Sequence, residues 1–311
     1  DMWDGIYVSS TTATVVVNNS VIEDALNAIV SNNGGVFKVT NKSQFNKDYV
    51  GIVVKNYVPT YPGFVNGTDF TCYANYQTSI PSNALIAPYA GGRTRMGIDV
   101  SFMSDIALGL AGPGPLQNKF DYMDIGIHSA NSNTQVFNSN FFNMTLPFIS
   151  SPNVVNGVGI FAENGGSIRV GYQFSPQSIC NFKVCGTGIF AQNAINVFGD
   201  GNKFKNIQAT GIHIINLNDL NVVLLRTNDL VNMPNGIWCY NNPYTNIGIY
   251  NNTINVGQQN WPSGYGIVVQ ETFAISDVLK VTTIKDNDIK AVRYGIKVDH
   301  LIDRTIIQGN E

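Results

Sequence analysis

The residues of this chain best suited to acid–base chemistry are Asp99, His128 and Glu163, with Arg93 and Arg95 just before the aspartate. A histidine can remove the C5 proton of a uronate sugar, and an arginine can neutralise its carboxylate. That combination would suit β-elimination. Asp99 and His128 share one slot of a repeated step, Gly97-Ile98-Asp99-Val100 and Gly126-Ile127-His128-Ser129. Glu163 directly follows the next copy, Gly159-Ile160-Phe161-Ala162. Each group alone is ordinary, since exposed charges usually form a solvated face and an isolated histidine is usually structural. Any chemistry therefore depends on what the repeat brings together.

The x slot of the step carries a second kind of chemistry. From Asp99 onward it holds His128, Phe161, Phe190, His213 and Trp238, and two residues further on lie Glu163, Gln192 and Tyr240. Adjacent strands lie about 4.8 Å apart, so rings from His128 to Trp238 would form a column on the order of 19 Å long. Flat rings stack on sugars, and the neighbouring polar groups can bond hydroxyls. Glycan is the natural ligand for such a column, with His128, Phe161, Phe190, His213, Trp238, Tyr240, Glu163 and Gln192 as the contact set. The competing expectation is a secondary core, because stacked rings under an inserted loop also stabilise by themselves.

The elements that must position these residues follow from the spacing. Eleven steps of the form Gly-Ile-x-Val, or a close relative, run from Gly5-Ile6-Tyr7-Val8 to Gly295-Ile296-Lys297-Val298. The first three anchors are 23 residues apart, as are Gly188 and Gly211, and most other intervals are 25 to 33 residues. A fixed period with insertions at particular points marks a stacked solenoid. Within Gly188–Thr210, Ile189 and Ala191 alternate with Phe190 and Gln192, Ile195 and Val197 suggest a second short strand, and Phe204 is an inward anchor in Asn-x-Phe-x-Asn. Helical three- and four-residue apolar spacing is lacking, and the register runs straight through Val21–Val30, so that stretch is read as coil. The expected fold is all-β: a right-handed parallel β-helix of about 10–12 coils forming one domain over 1–311, with a loop inserted at about 57–96. That loop is rich in Tyr and Pro. The chain opens and closes in the middle of a coil, which leads us to expect a piece of a longer protein.

Gly-Ile-x-Val combined with Asn-x-Phe-x-Asn resembles the pectin-lyase-like superfamily of right-handed parallel β-helices. Met2-Trp3-Asp4-Gly5-Ile6 and Ile86–Thr94 more narrowly resemble large secreted or surface proteins of Bacteroidota, many exported by the type IX secretion pathway. The resemblance implies an extracellular, secreted or cell-surface location, a polysaccharide or surface glycan as partner, and the secretion machinery as a partner of exported cargo. It also brings the superfamily's lyases and hydrolases into view, which use close Asp pairs, or Arg or Lys with Ca²⁺. None of their motifs occurs here. Asp121 with Asp124, and Asp286 with Asp288, are the only pairs considered for Ca²⁺, and solvated turns explain them equally well. The leading expectation is thus a non-catalytic module, a stalk, adhesin or exported cargo, with no cofactor. The alternative is a polysaccharide lyase or glycoside hydrolase using Asp99, His128, Glu163 and Arg95.

Composition excludes other classes. Net charge is −3, charged residues make up 13%, and no Lys/Arg cluster appears, which argues against nucleic acid. No run of eighteen apolar residues exists to span a bilayer. Zinc motifs, phosphate-binding glycine loops and Ser/His/Asp nucleophile sets have no candidates. Low charge with abundant Asn suits stacked coils, where amides form ladders and accept left-handed turns. Cys72, Cys180, Cys185 and Cys239 lack metal-like spacing and are expected as buried free thiols.

Overall fold

The computed structural model describes residues 1–57, 63–75, 80–81, 85–86, 92–110, 116–144, 149–151, 154–172, 178–217, 221–256, 264–272, 280–291, 293–299 and 304–311. Every named element among them is a strand. Three walls of parallel strands stack into a β-solenoid. The anchor sheet has 11 strands, from Ile6–Val8 to Tyr294–Asp299, paired in chain order. A second sheet has 10 strands, from Val21–Glu23 to Asp288–Lys290. The third wall comprises a 3-stranded sheet (Thr14–Asn18, Val36–Thr40, Gly63–Val65) and then an 8-stranded one from Ile106–Leu108 to Thr305–Gln308. No helix of the described residues is long and apolar enough to cross a membrane.

The repeated isoleucines are the register of the anchor sheet. Ile6 pairs with Ile29, Ile29 with Ile52, Ile52 with Ile98, and so on without a slip to Ile267 and Ile296. A shift by one residue would turn every buried Ile outward, so this register is strongly specified. Val21–Val30 is strand, turn, strand, as its register indicated.

The second sheet explains the glycines. Phe45, Phe70, Phe120, Phe141, Phe182 and Phe204 occupy one inward position on successive rungs, with ring centroids 4.9, 4.8, 4.9, 4.8 and 4.6 Å apart. Leu230, Ile254 and Ile289 continue the position. From Phe70 to Phe204 each ring lies edge-on to the anchor glycine of its own coil, Gly51, Gly97, Gly126, Gly159 and Gly188 in turn; the coil of Phe45 has Ala28 at that position. A methyl group on Gly188 would sit 2.5 Å from a Phe204 ring carbon and 2.7 Å from the Gly211 carbonyl oxygen. Gly97 and Gly126 face Phe120 and Phe141 in the same way. Here glycine is required by close approach.

Asparagine closes the corners. Asn202, Asn228, Asn252, Asn287 and Asn310 form a ladder in which each side-chain amide donates to the next Oδ1, at 3.1, 3.0, 2.9 and 2.8 Å. Each receiving Oδ1 also accepts the backbone N–H of the preceding ladder residue. Every amide group in the interior of this ladder is therefore satisfied. Elsewhere Asn takes left-handed turn positions, among them Asn193, Asn206, Asn232 and Asn251. The four cysteines are free and buried, and burial pushes the thiols of Cys180, Cys185 and Cys239 up to about 12.

The stretch 57–96 first completes a coil. Gly63–Val65 joins Val36–Thr40, and Asp69–Thr71 joins Gln44–Asn46. An antiparallel pair, Tyr73–Asn75 with Ile80–Pro81, follows, and Leu85 packs with Met2 and Cys72. Residues 58–62, 76–79, 82–84 and 87–91 of the expected loop lie outside the described residues.

Two outcomes follow from this packing. Gly188→Ala should destabilise by about 1–3 kcal/mol through overpacking. Gly295→Ala, whose added methyl would meet nothing nearer than Ile289 at 3.9 Å, should cost far less; chemical denaturation of the two variants checks this. The second concerns Asp48, which is 1% exposed. Its Oδ1 accepts the Ala25 N–H at 2.8 Å, and its Oδ2 has no partner. Burial pushes its carboxyl well above the usual range, and Glu23 and Asp24 add to this against the Ala25 N–H and Lys47. An acid with a raised folded pKa contributes stability that is full below the unfolded value of about 3.9 and is lost as pH rises through the folded one. Asp48→Asn should raise the melting temperature at neutral pH, with the gain shrinking as pH approaches about 4.

Candidate functional site

The outer face of the anchor sheet gathers the residues singled out above. Its central column reads Asp99, His128, Phe161, Phe190, His213, Trp238, Val268, Lys297, each paired with the next across one rung. The neighbouring column runs Glu163, Gln192, Ile215, Tyr240, Gln270, Asp299. Both columns exist because side chains alternate across a strand and parallel rungs hold identical positions in line.

Three of the four candidate catalytic groups meet. His128 Nδ1 lies 2.8 Å from Asp99 Oδ1, and Nε2 lies 3.1 Å from Glu163 Oε1. The ring stacks on Phe161 at a centroid distance of 5.2 Å. Burial alone would lower the imidazole pKa, but the hydrogen bonds and charges of Asp99 and Glu163 outweigh it and raise it to about 9. With a carboxylate on each nitrogen, the imidazolium is closed on both sides. It has no lone pair at neutral pH with which to abstract a proton.

Arg95 is elsewhere. Its guanidinium donates to the Val155 carbonyl at 2.9 Å and to Asn156 Oδ1, and lies 3.4 Å from Asp124. It anchors the antiparallel hairpin formed by Ile149–Ser151 and Val154–Asn156. Val155 of that hairpin lies in an apolar cluster with Ile125, Val158, Phe161 and Phe190, flanked by Met96 and Ile215. Phe161 is 6% exposed and Phe190 0%. These two rings therefore offer no face to a ligand, which corrects the expectation of an open column from end to end. The cause is Val155 of the hairpin, an apolar side chain that finds the rings a better neighbour than water. His213 sits between Phe190 and Trp238, with ring centroids 5.3 and 6.1 Å away. Its burial lowers the imidazole to about 4, so it is neutral.

Beyond His213 the rings continue toward solvent. Trp238 is half-buried and followed by Tyr265 at 6.2 Å and Tyr294 at 5.6 Å from ring to ring. The Arg293 guanidinium lies 5.4 and 5.6 Å over these two tyrosines. Tyr240 and Gln192 are half-buried at the side, and Thr272 Oγ1 donates to the Tyr240 hydroxyl at 3.3 Å. Neither Tyr265 nor Tyr294 was found from the x slot, because both stand just before the anchor glycine. The signal was present as Tyr-Gly-Ile at 265–267 and 294–296.

The carboxylates of Asp121 and Asp124 are held by different partners. Asp121 accepts from Tyr73 and from Asn143 at 2.9 Å, and pairs with Lys119 at 2.9 Å; Asp124 faces Arg95. Burial, with the hydrogen bond to Asp121, pushes the Tyr73 phenol up to about 12, so this cluster latches the 73–81 pair to the second sheet. Asp286 pairs with Lys285 at 3.7 Å. No group of three or more His, Cys, Asp or Glu among the described residues could hold a metal. A buried pair, Lys280 with Glu271, also escaped notice; Lys280 Nζ donates to the Asn242 carbonyl at 2.9 Å and closes a corner of the coil.

Comparison with protein-family models, with curated proteins and with solved structures returns no match to this chain. The likeness to parallel β-helices thus rests on coil geometry.

The bridged imidazolium has a measurable signature. A base with a raised folded pKa contributes stability that is full below the unfolded value of about 6.5 and is lost as pH rises. Melting temperature should therefore decline from about pH 6.5 through about 9. His128→Gln should flatten that decline, and NMR titration of His128 in Glu163→Gln should show a lower pKa.

Proposed function

We propose that this β-solenoid is a non-catalytic module of a secreted or cell-surface protein, a stalk or adhesin that binds glycan on the accessible part of its aromatic column. The observation that carries this reading is the division of one outer face. His128, the candidate general base beside Asp99 and Glu163, is closed by two carboxylates, while the rings emerge from cover at Trp238, Tyr265 and Tyr294. Half-exposed aromatic rings flanked by hydroxyl and amide groups suit the apolar faces and hydroxyls of sugars. Low charge and an uninterrupted stack also suit a long extracellular spacer, including one carried as cargo by a secretion machinery.

A lyase is the second reading, favoured by the assembly of Asp99, His128 and Glu163 on adjacent rungs. Against it, a base that must first lose a proton near pH 9 works poorly at neutral pH.

The two readings separate in one experiment. Glycan-array binding should weaken about tenfold or more in Trp238→Ala, as for loss of a hot-spot aromatic. Incubation with uronate polymers should yield no unsaturated product by ultraviolet absorbance at neutral pH. Product that disappears in His128→Gln would establish the lyase and sink the non-catalytic reading. Absence of both binding and product would leave a spacer.

A further inference from the structure

The geometry points to a specific ligand class at a specific place: we propose that the anchor rungs Asn235–Tyr240, Tyr265–Gln270 and Tyr294–Asp299 bind an acidic saccharide, with Arg293 receiving its anionic group. The proposal rests on the glycan reading above and narrows it.

The first argument is accessibility. Within one continuous series of neighbouring rings, Phe190 is 0% exposed and Tyr294 is 45% exposed. Only the later rungs present ring surface to a ligand. Two rung steps of about 4.8 Å, and four residues of about 3.3 Å along a strand, make a platform on the order of 10 by 13 Å. That is an area for a short oligosaccharide.

The second argument is charge. Arg293 is exposed and lies across Tyr265 and Tyr294, and among the described residues it makes no ion pair. Stacking on the rings holds the guanidinium in place and leaves its N–H edge unused. That edge is a planar fork matched to a carboxylate or a sulfate. Lys297, in the Trp238 column, pairs with Asp299 at 3.5 Å while both side chains are more than a third exposed (37% and 35%). A pair so wetted is weak and can yield to a ligand anion. Tyr240 and Gln270 line the adjacent column and can reach ring hydroxyls.

The third argument is a contrast along the same face. Arg95, within the strand Thr94–Met103 of this wall, is consumed by Val155, Asn156 and Asp124. Arg93 lies 4.4 Å over the Tyr122 ring, but both are half-buried, whereas Arg293 and Tyr294 are exposed.

The test is equilibrium binding of the whole chain to three polymers: polygalacturonate, a sulfated glycosaminoglycan and neutral mannan. Binding to one or both acidic polymers and not to mannan is expected. Arg293→Gln should weaken it about ten- to a hundredfold, the loss expected for one charge-assisted bidentate contact. Arg293→Lys should recover part of it. Tyr294→Ala, at a more exposed position, serves as the second variant should Arg293→Gln unfold, and should also weaken binding with little change in melting temperature. Binding to polygalacturonate shows that a carboxylate suffices, binding to the glycosaminoglycan alone shows that sulfate is needed, and either supports the proposal. Mannan binding as tight as the acidic polymers, or affinity unchanged in Arg293→Gln and Tyr294→Ala, would overturn it while leaving glycan binding standing. Binding to none of the three, with an empty glycan array, would overturn both.

Discussion

The contact on which this structure depends is an anchor glycine pressed against the phenylalanine ring of its own coil. In the five coils from Gly51 to Gly188 it joins two walls at a distance that leaves no room for a Cβ. Because the rings also stack on each other at one rung spacing, the same contact sets the distance along the solenoid. Burial of six aromatic rings in line supplies a large apolar term, and close packing makes it sensitive to single methyl groups. Where the stack changes to Leu230, Ile254 and Ile289, the aliphatic branches take over the glycine contact.

A second consequence of stacking is that any polar group placed inside repeats its problem on every rung. Asparagine solves it by giving each neighbour both a donor and an acceptor, so the ladder from Asn202 to Asn310 satisfies itself. A carboxylate in such a place has no equivalent solution. Asp48 shows this, with one oxygen bonded and the other alone. Outside, the same rule pairs unlike charges across rungs, and the bridge Asp99–His128–Glu163 is its clearest case.

The outer faces are what the fold offers to a ligand, since the interior is filled. On the anchor wall a hairpin covers the middle rings and leaves the later ones open. One column is therefore secondary core around Phe161 and Phe190 and carries accessible rings from Trp238 onward.

Much of the fold was legible in the residues. The Ile positions matched one another in space because a parallel stack converts equal sequence spacing into direct contact, and the proximity of Asp99, His128 and Glu163 followed from the same arithmetic. The asparagine ladders and buried thiols followed from low charge and inward position. What only the tertiary structure decided depends on segments with no period: where the 149–156 hairpin lies, that Arg95 holds it, and that Tyr73 reaches Asp121. Protonation of His128 was likewise decided in three dimensions, because its sign depends on distances to two carboxylates against burial. Periodicity carries information about rungs that repeat; insertions, and the charges they draw away or leave free, are placed by packing alone.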